Sequence, residues 1–226
     1  MSQNIHAQND EAQATKIVQL QALGQQIHQC VRCVDAGYIE YARPVIGFRG
    51  GAHSRILLIG QAAGKLSVAR QLPFGGPGGG ILSSWFVRAG FPDGFMRTDI
   101  YLTALTRCFP GKSPHGKGDR APSSNEIQLC RPWLTAELAI IQPELIILSG
   151  ALAIREFLGK GPLDSYIGAI FSKDGQTYLP WPHPSGVSRW LLSPEHQALL
   201  QTSIQILSEW RIIHYPEFHS ELQPPE

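Results

Sequence analysis

Four cysteines carry the first chemistry visible in this chain: Cys30 and Cys33 form a C-x2-C pair, and Cys108 and Cys130 stand far along the sequence. A close pair with two dispersed thiols can be a set of metal ligands. It can also be ordinary buried cysteine, which behaves as a small hydrophobe. Zinc is usually held by two tight pairs, whereas an iron–sulfur cluster spans more space and accepts one pair with two dispersed ligands. The spacing therefore favours an iron–sulfur site. Its role would be structural, tying an N-terminal helix to the loop after the second strand.

A second group of residues lies in glycine-rich loops. Gly60 to Gly64 read GQAAG, followed by Lys65, and LPFGGPGGG follows from Leu72. A phosphate loop is the obvious comparison, but GQAAGK is one residue short, and Leu66 stands where a hydroxyl should meet magnesium. Glycines after a strand still let backbone N–H groups approach a ligand closely. His183 sits between two prolines in WPHPSG. A lone histidine can be a satisfied structural residue, yet loops at strand ends carry functional sites disproportionately.

These residues need elements to position them. Ile17, Leu20, Leu23 and Ile27 recur at helical spacing up to Cys30. Apolar runs at 55–60, 99–105, 144–150 and 177–182 read as buried strands, with helical patterns near 80–90, 123–141, 150–158 and 194–209 between and after them. Ser123 three residues before Glu126 forms a capping box that starts the helix carrying Cys130. Strands alternating with helices predict an α/β fold, a three-layer α/β/α sandwich around a central four-stranded parallel sheet. Residues 1–14 are expected to be a flexible start, 15–210 the domain, and 211–226 a tail.

Composition bounds the rest. The 226 residues are 43% hydrophobic with a net charge of +1, which suits one globular domain and neither supports nor excludes a nucleic-acid partner. No apolar run is long enough to span a membrane, and the polar start lacks the layout of a secretory signal. The expected setting is the cytoplasm, with a monomer as the default.

Taken in order, C-x2-C after a helix, GQAAG, PFGG, YLTALTRC, EIQLCRPWLTAEL, IILSG and HPS resemble the uracil-DNA glycosylase superfamily, within it the iron–sulfur families 4 and 5. The resemblance covers roughly residues 20–208. It implies a DNA base-excision glycosylase that flips a damaged base out of the stack and hydrolyses its N-glycosidic bond. It also implies a 4Fe–4S cluster on Cys30, Cys33, Cys108 and Cys130. Under the resemblance, the backbone N–H groups of Gln61 and Ala62 face the base oxygen, Phe74 stacks on the flipped base, and His183 donates to the oxygen as charge develops. Ser185 and Arg189 would meet the DNA backbone, and Val187 would be the wedge that fills the vacated space. Lys112, Lys117 and Arg120 form a basic loop that either adds phosphate contacts or is a solvated surface loop.

The chain departs from the family pattern at three positions. Ala104 stands where an asparagine reads the far edge of uracil, and Gln61 and Pro77 stand where family members carry carboxylates. A pocket without its edge reader discriminates less, which opens uracil, hypoxanthine, xanthine and other damaged bases as substrates. The enzyme reading is a monofunctional glycosylase, since no lysine is suitably placed for a lyase step. The competing reading is a DNA-damage binding protein that has lost turnover. Phe74 and His183 favour the first, Ala104 and Pro77 the second.

Overall fold

A computed structural model describes residues 2–47, 51–114, 118–185 and 190–218, with side chains from residue 11 onward. The helices are α1 (Ser2–His28), α2 (Arg32–Asp35), α3 (Lys65–Arg70), α4 (Pro77–Arg88), α5 (Phe95–Thr98), α6 (Ser124–Ile141), α7 (Ala151–Leu158) and α8 (Pro194–His214). The strands are β1 (Ile56–Ala62), β2 (Tyr101–Thr106), β3 (Leu145–Ser149), β4 (Phe171–Lys173) and β5 (Gln176–Trp181). They form one sheet in the order β2-β1-β3-β5-β4, in which all neighbours are parallel except β4 and β5.

The continuous apolar runs of β1, β2 and β3 follow from burial on both faces. One face carries Ile56, Leu58, Leu102 and Ile147, packed under Leu82, Trp85 and Phe86 of α4, Phe95 and Met96 of α5, and Ile204 and Leu207 of α8. The opposite face carries Leu57, Ile59, Tyr101 and Leu148 under α1, α6 and α7. The three-layer α/β/α architecture expected from the sequence is therefore the one observed. The capping box is present too: Ser123 Oγ accepts from the Glu126 amide while the Glu126 carboxylate accepts from the Ser123 N–H.

The sheet has five strands rather than four. The additional strand, β4, is three residues long and pairs antiparallel with β5 through Asp174 and Gly175, both at positive φ (52° and 77°). That is the two-residue hairpin an Asp-Gly pair favours, and its signal was present in the sequence as KDGQ. Helix α1 begins at Ser2, well before the apolar periodicity, because residues 2–23 contain neither glycine nor proline and are rich in good helix formers.

The order β2-β1-β3 means that the chain leaves β1 toward one side and returns on the other. This creates a crevice beyond the carboxyl ends of β1 and β3, where open α/β sheets bind ligands.

Candidate active site and thiol cage

Beyond those strand ends lies a cavity of about 700 Å³. Its wall brings together Gln61, Ala62, Phe74, Ala104, His183 and Ser185, which are far apart in sequence. Val187 and Arg189 fall outside the described residues, as does Lys117. Ala104 pairs with Gly60 across β2 and β1, and a Cβ built on Gly60 would stand 2.8 Å from the Phe74 ring. The bare glycine is thus what allows the aromatic ring to lie against the end of the sheet.

Phe74 is held in a conformation that a bulky residue rarely adopts, with φ of 51°. Such strain persists only where its surroundings enforce it. The enforcing group is Arg97 at α5, whose two guanidinium nitrogens donate to the carbonyls of Pro73 (2.6 Å) and Phe74 (2.8 Å). Gly79 closes the clamp, since any Cβ there would collide with the Phe74 carbonyl. Sequence reasoning missed Arg97, which belongs to no short motif and reaches its partners only through the fold.

His183 follows β5 and lies over Gly150, whose Cβ position is 3.4 Å from the ring. Gly150 has φ of 97° and donates to the Trp181 carbonyl at 2.8 Å, so the backbone turn that starts α7 also seats the histidine. The ring is open to the cavity, but the surrounding protein lowers its pKa below the ordinary value by desolvating the cation, which keeps it neutral near pH 7. Ser185 donates its N–H to the His183 carbonyl at 2.8 Å, tightening the turn after it.

His183 and Gln61 also border a second cavity of about 630 Å³, lined by Ala151, Arg155, Lys160 and Tyr166. Among the described residues, neither Arg155 nor Lys160 has a carboxylate partner. The basic loop after β2 behaves differently. Arg120 makes a bidentate bond to Glu126 (2.7 and 2.8 Å), and Lys112 pairs with Asp119 at 3.0 Å. Both cations therefore already have a carboxylate partner within the protein. Asp119 lines the larger cavity and accepts from the Lys65 N–H at 3.2 Å. The wall therefore includes a carboxylate, brought from a loop that no motif identified.

The four cysteines converge on one small cavity whose lining also includes Ile27, Ile39, Leu129 and Trp133, with Arg107 and Glu126 among its polar members. They arrive from four places: the end of α1, the start of α2, the loop after β2 and the middle of α6. None is in a disulfide. Burial, reinforced by the neighbouring thiols, pushes Cys33 up to about 11 and Cys108 up to about 12. Trp133 Nε1 donates to Cys30 Sγ at 3.4 Å. Among the described residues, no group of three or more His, Cys, Asp or Glu side chains is arranged to hold a single metal ion.

Arg107 lines both the thiol cage and the large cavity. It is buried, paired with the fully buried Glu137, and donates to the Ala104 carbonyl. Glu137 also accepts from Thr103 Oγ1 at 2.8 Å. This network links α6, which carries Cys130, to the strand end that carries Ala104. Among the described residues, no helix is long and apolar enough to cross a membrane.

Comparison with known proteins bears on this arrangement. The profile of the Uracil DNA glycosylase superfamily matches residues 48–205. A type-4 uracil-DNA glycosylase of Thermotoga maritima is 25% identical over 180 residues, covering 75% of this chain and 83% of that protein. One from Pyrobaculum aerophilum is 26% identical over 144 residues, covering 62% and 67%. A DNA polymerase of Bacillus phage SP01 is 23% identical over 167 residues, which cover 74% of this chain but 17% of the polymerase. The profile spans most of the chain and takes in the strand ends that build the large cavity, so this protein belongs to the uracil-DNA glycosylase superfamily.

Proposed function

We propose that this chain is a monofunctional DNA glycosylase of the base-excision type that hydrolyses uracil from DNA. The observation that carries the reading is the convergence of Phe74, His183, Gln61 and Ala62 on one cavity large enough for a base. The names of the related proteins favour turnover over a role in binding alone.

In the mechanism, the target base leaves the stack, enters the cavity and lies against Phe74. The C1′–N bond breaks and its electron pair goes to the base, so negative charge builds on the base oxygen. His183, neutral and fixed over Gly150, donates its N–H to that oxygen, with the backbone at Gln61 and Ala62 lying alongside. Water adds its oxygen to C1′ and keeps one proton there as the hydroxyl of the abasic sugar, while its other proton neutralises the base anion by way of solvent. An abasic site remains.

DNA reaches the cavity past Ser185, and Val187 and Arg189 are proposed as the wedge and a backbone contact in the segment that follows. Arg155 and Lys160 extend the same path on the far side of His183, as unneutralised cations suited to phosphate. The cavity is built within one chain, which suits a monomer. A DNA substrate and four free thiols suit the reducing cytoplasm.

Cys30, Cys33, Cys108 and Cys130 fit a 4Fe–4S cluster: four thiols line one largely apolar cavity, with an indole N–H directed at a sulfur. The cluster would supply structural cross-linking of α1, α2, β2 and α6. The direct experiment incubates purified protein with duplex and single-stranded oligonucleotides carrying one modified base and scores abasic sites. Uracil-containing strands are expected to yield them. No abasic site on any substrate overturns the reading.

A further inference from the structure

The wall of the large cavity contains two buried, unpartnered hydroxyls that the proposed mechanism does not use. Ser149, 1% exposed at the end of β3, and Thr106, 4% exposed at the end of β2, both line it. Among the described residues, neither hydroxyl has a hydrogen-bond partner. A buried hydroxyl left unpaired in a folded protein is costly and uncommon. Two such groups on one cavity wall point to a ligand that satisfies them.

Their place in the sheet says which part of the ligand they meet. Side chains alternate along a strand, so Ala104 and Thr106 share the face of Leu102, and Ser149 shares the face of Ile147. Gly60 is flanked by Ala104 on β2 and, one step beyond the Ile59–Leu148 pair, by Ser149 on β3. Thr106 is paired with Ala62. The two hydroxyls therefore border the patch of Gly60 and Ala104 against which the Phe74 ring lies. This is where a base stacked on Phe74 would present its edge, and where Ala104 offers nothing to bond.

We infer that the Ser149 and Thr106 hydroxyls read the edge of the excised base in place of a side chain at position 104, giving a pocket that accepts deaminated bases of both sizes, hypoxanthine as well as uracil. The inference rests on the glycosylase reading and specifies its substrate class. A hydroxyl both donates and accepts and turns about a single bond. It can therefore meet the keto oxygen and the adjacent ring N–H that uracil and hypoxanthine share, whatever the size of the base. Such a reader is permissive, so selection against normal bases falls to the duplex. A mispaired base leaves the stack more cheaply than a paired one.

The test uses Ser149→Ala, Thr106→Val and the double variant, which remove hydroxyls while keeping size close. Single-turnover cleavage is measured on uracil and hypoxanthine, each mispaired and correctly paired. Binding is measured in parallel on non-cleavable 2′-fluoro analogues and on undamaged duplex. Each single variant is expected to lose about tenfold in rate on both bases, the worth of one hydrogen bond, with Tm unchanged or raised because an orphan polar group has gone. Rates within twofold of wild type in the double variant overturn the inference, as does wild-type activity confined to uracil. If wild type cleaves nothing, the glycosylase reading fails and binding decides the inference. A lesion preference in wild type that the double variant loses supports it, and equal wild-type binding to damaged and undamaged duplex overturns it.

Discussion

At the scale of single residues, His183 and the pair Arg107–Glu137 make separable claims. His183 acts when charge builds on the leaving base, so its removal touches the transition state more than the bound complex. His183→Ala is expected to slow single-turnover cleavage roughly 100-fold or more, with lesion binding changed far less. Near-native cleavage would make the histidine structural. Its native pKa is depressed by burial. Its contribution to stability is therefore complete above the ordinary value of ~6.5 and is lost as pH falls through the lower native value. An NMR titration should place the His183 midpoint below that of a free histidine, and a midpoint at or above it contradicts the desolvation described. Glu137 is different, because it neutralises a buried guanidinium. Glu137→Ala should cost ~3–5 kcal/mol of stability, measured by denaturant unfolding. A loss under 1 kcal/mol would mean that Arg107 finds another partner.

At the scale of elements, the turn between α3 and α4 shows how the fold stores strain for the site. Phe74 keeps its left-handed backbone because Arg97 grips two successive carbonyls and Gly79 leaves room for one of them. Arg97→Met should free the turn. Cleavage is expected to fall about tenfold or more, since a misplaced positioning group costs up to ~100-fold, while far-UV CD stays native. Unchanged cleavage would show that Gly79 alone is sufficient. Cys108→Ser tests a second element-level claim. If the thiols pin α6 to β2 through a cluster, the variant should lose iron and sulfide together with folded yield, and soluble, active, iron-free protein would sink the structural role. The strands, the capping box and the C-x2-C pair were legible in the sequence because each depends on local spacing. Arg97, Asp119 and Ser149 were not, because a carbonyl clamp, a wall carboxylate and an orphan hydroxyl exist only once distant segments meet. The fifth strand was missed for a different reason: its Asp-Gly turn was visible, but its three residues offer too short a pattern to read as a strand.

At the scale of the whole molecule, a net charge of +1 leaves no general attraction for DNA, so affinity must come from local cations. Binding should weaken with salt, with a slope set by the few phosphates contacted. Arg155→Ala is expected to weaken binding to all sequences alike and to reduce that slope by about one. A sequence-dependent loss, or none, would remove Arg155 from the strand's path.

The way the sheet ends on either side has a consequence for how these molecules behave in company. On one flank, Val45 donates its N–H to the Arg107 carbonyl, and Gly47 lies so close to the Leu102 carbonyl that no side chain could fit. On the other, β4 is three residues long, and its terminal Lys173 donates to the Phe157 carbonyl. An exposed strand edge is a template on which a second chain can add and a fibril can grow. Here a strap covers one margin, and the other is cut short and carries a positive charge. Concentrated solutions of the folded protein should accordingly resist β-type aggregation, and Gly47→Val, by lifting the strap from β2, should be the substitution that exposes it.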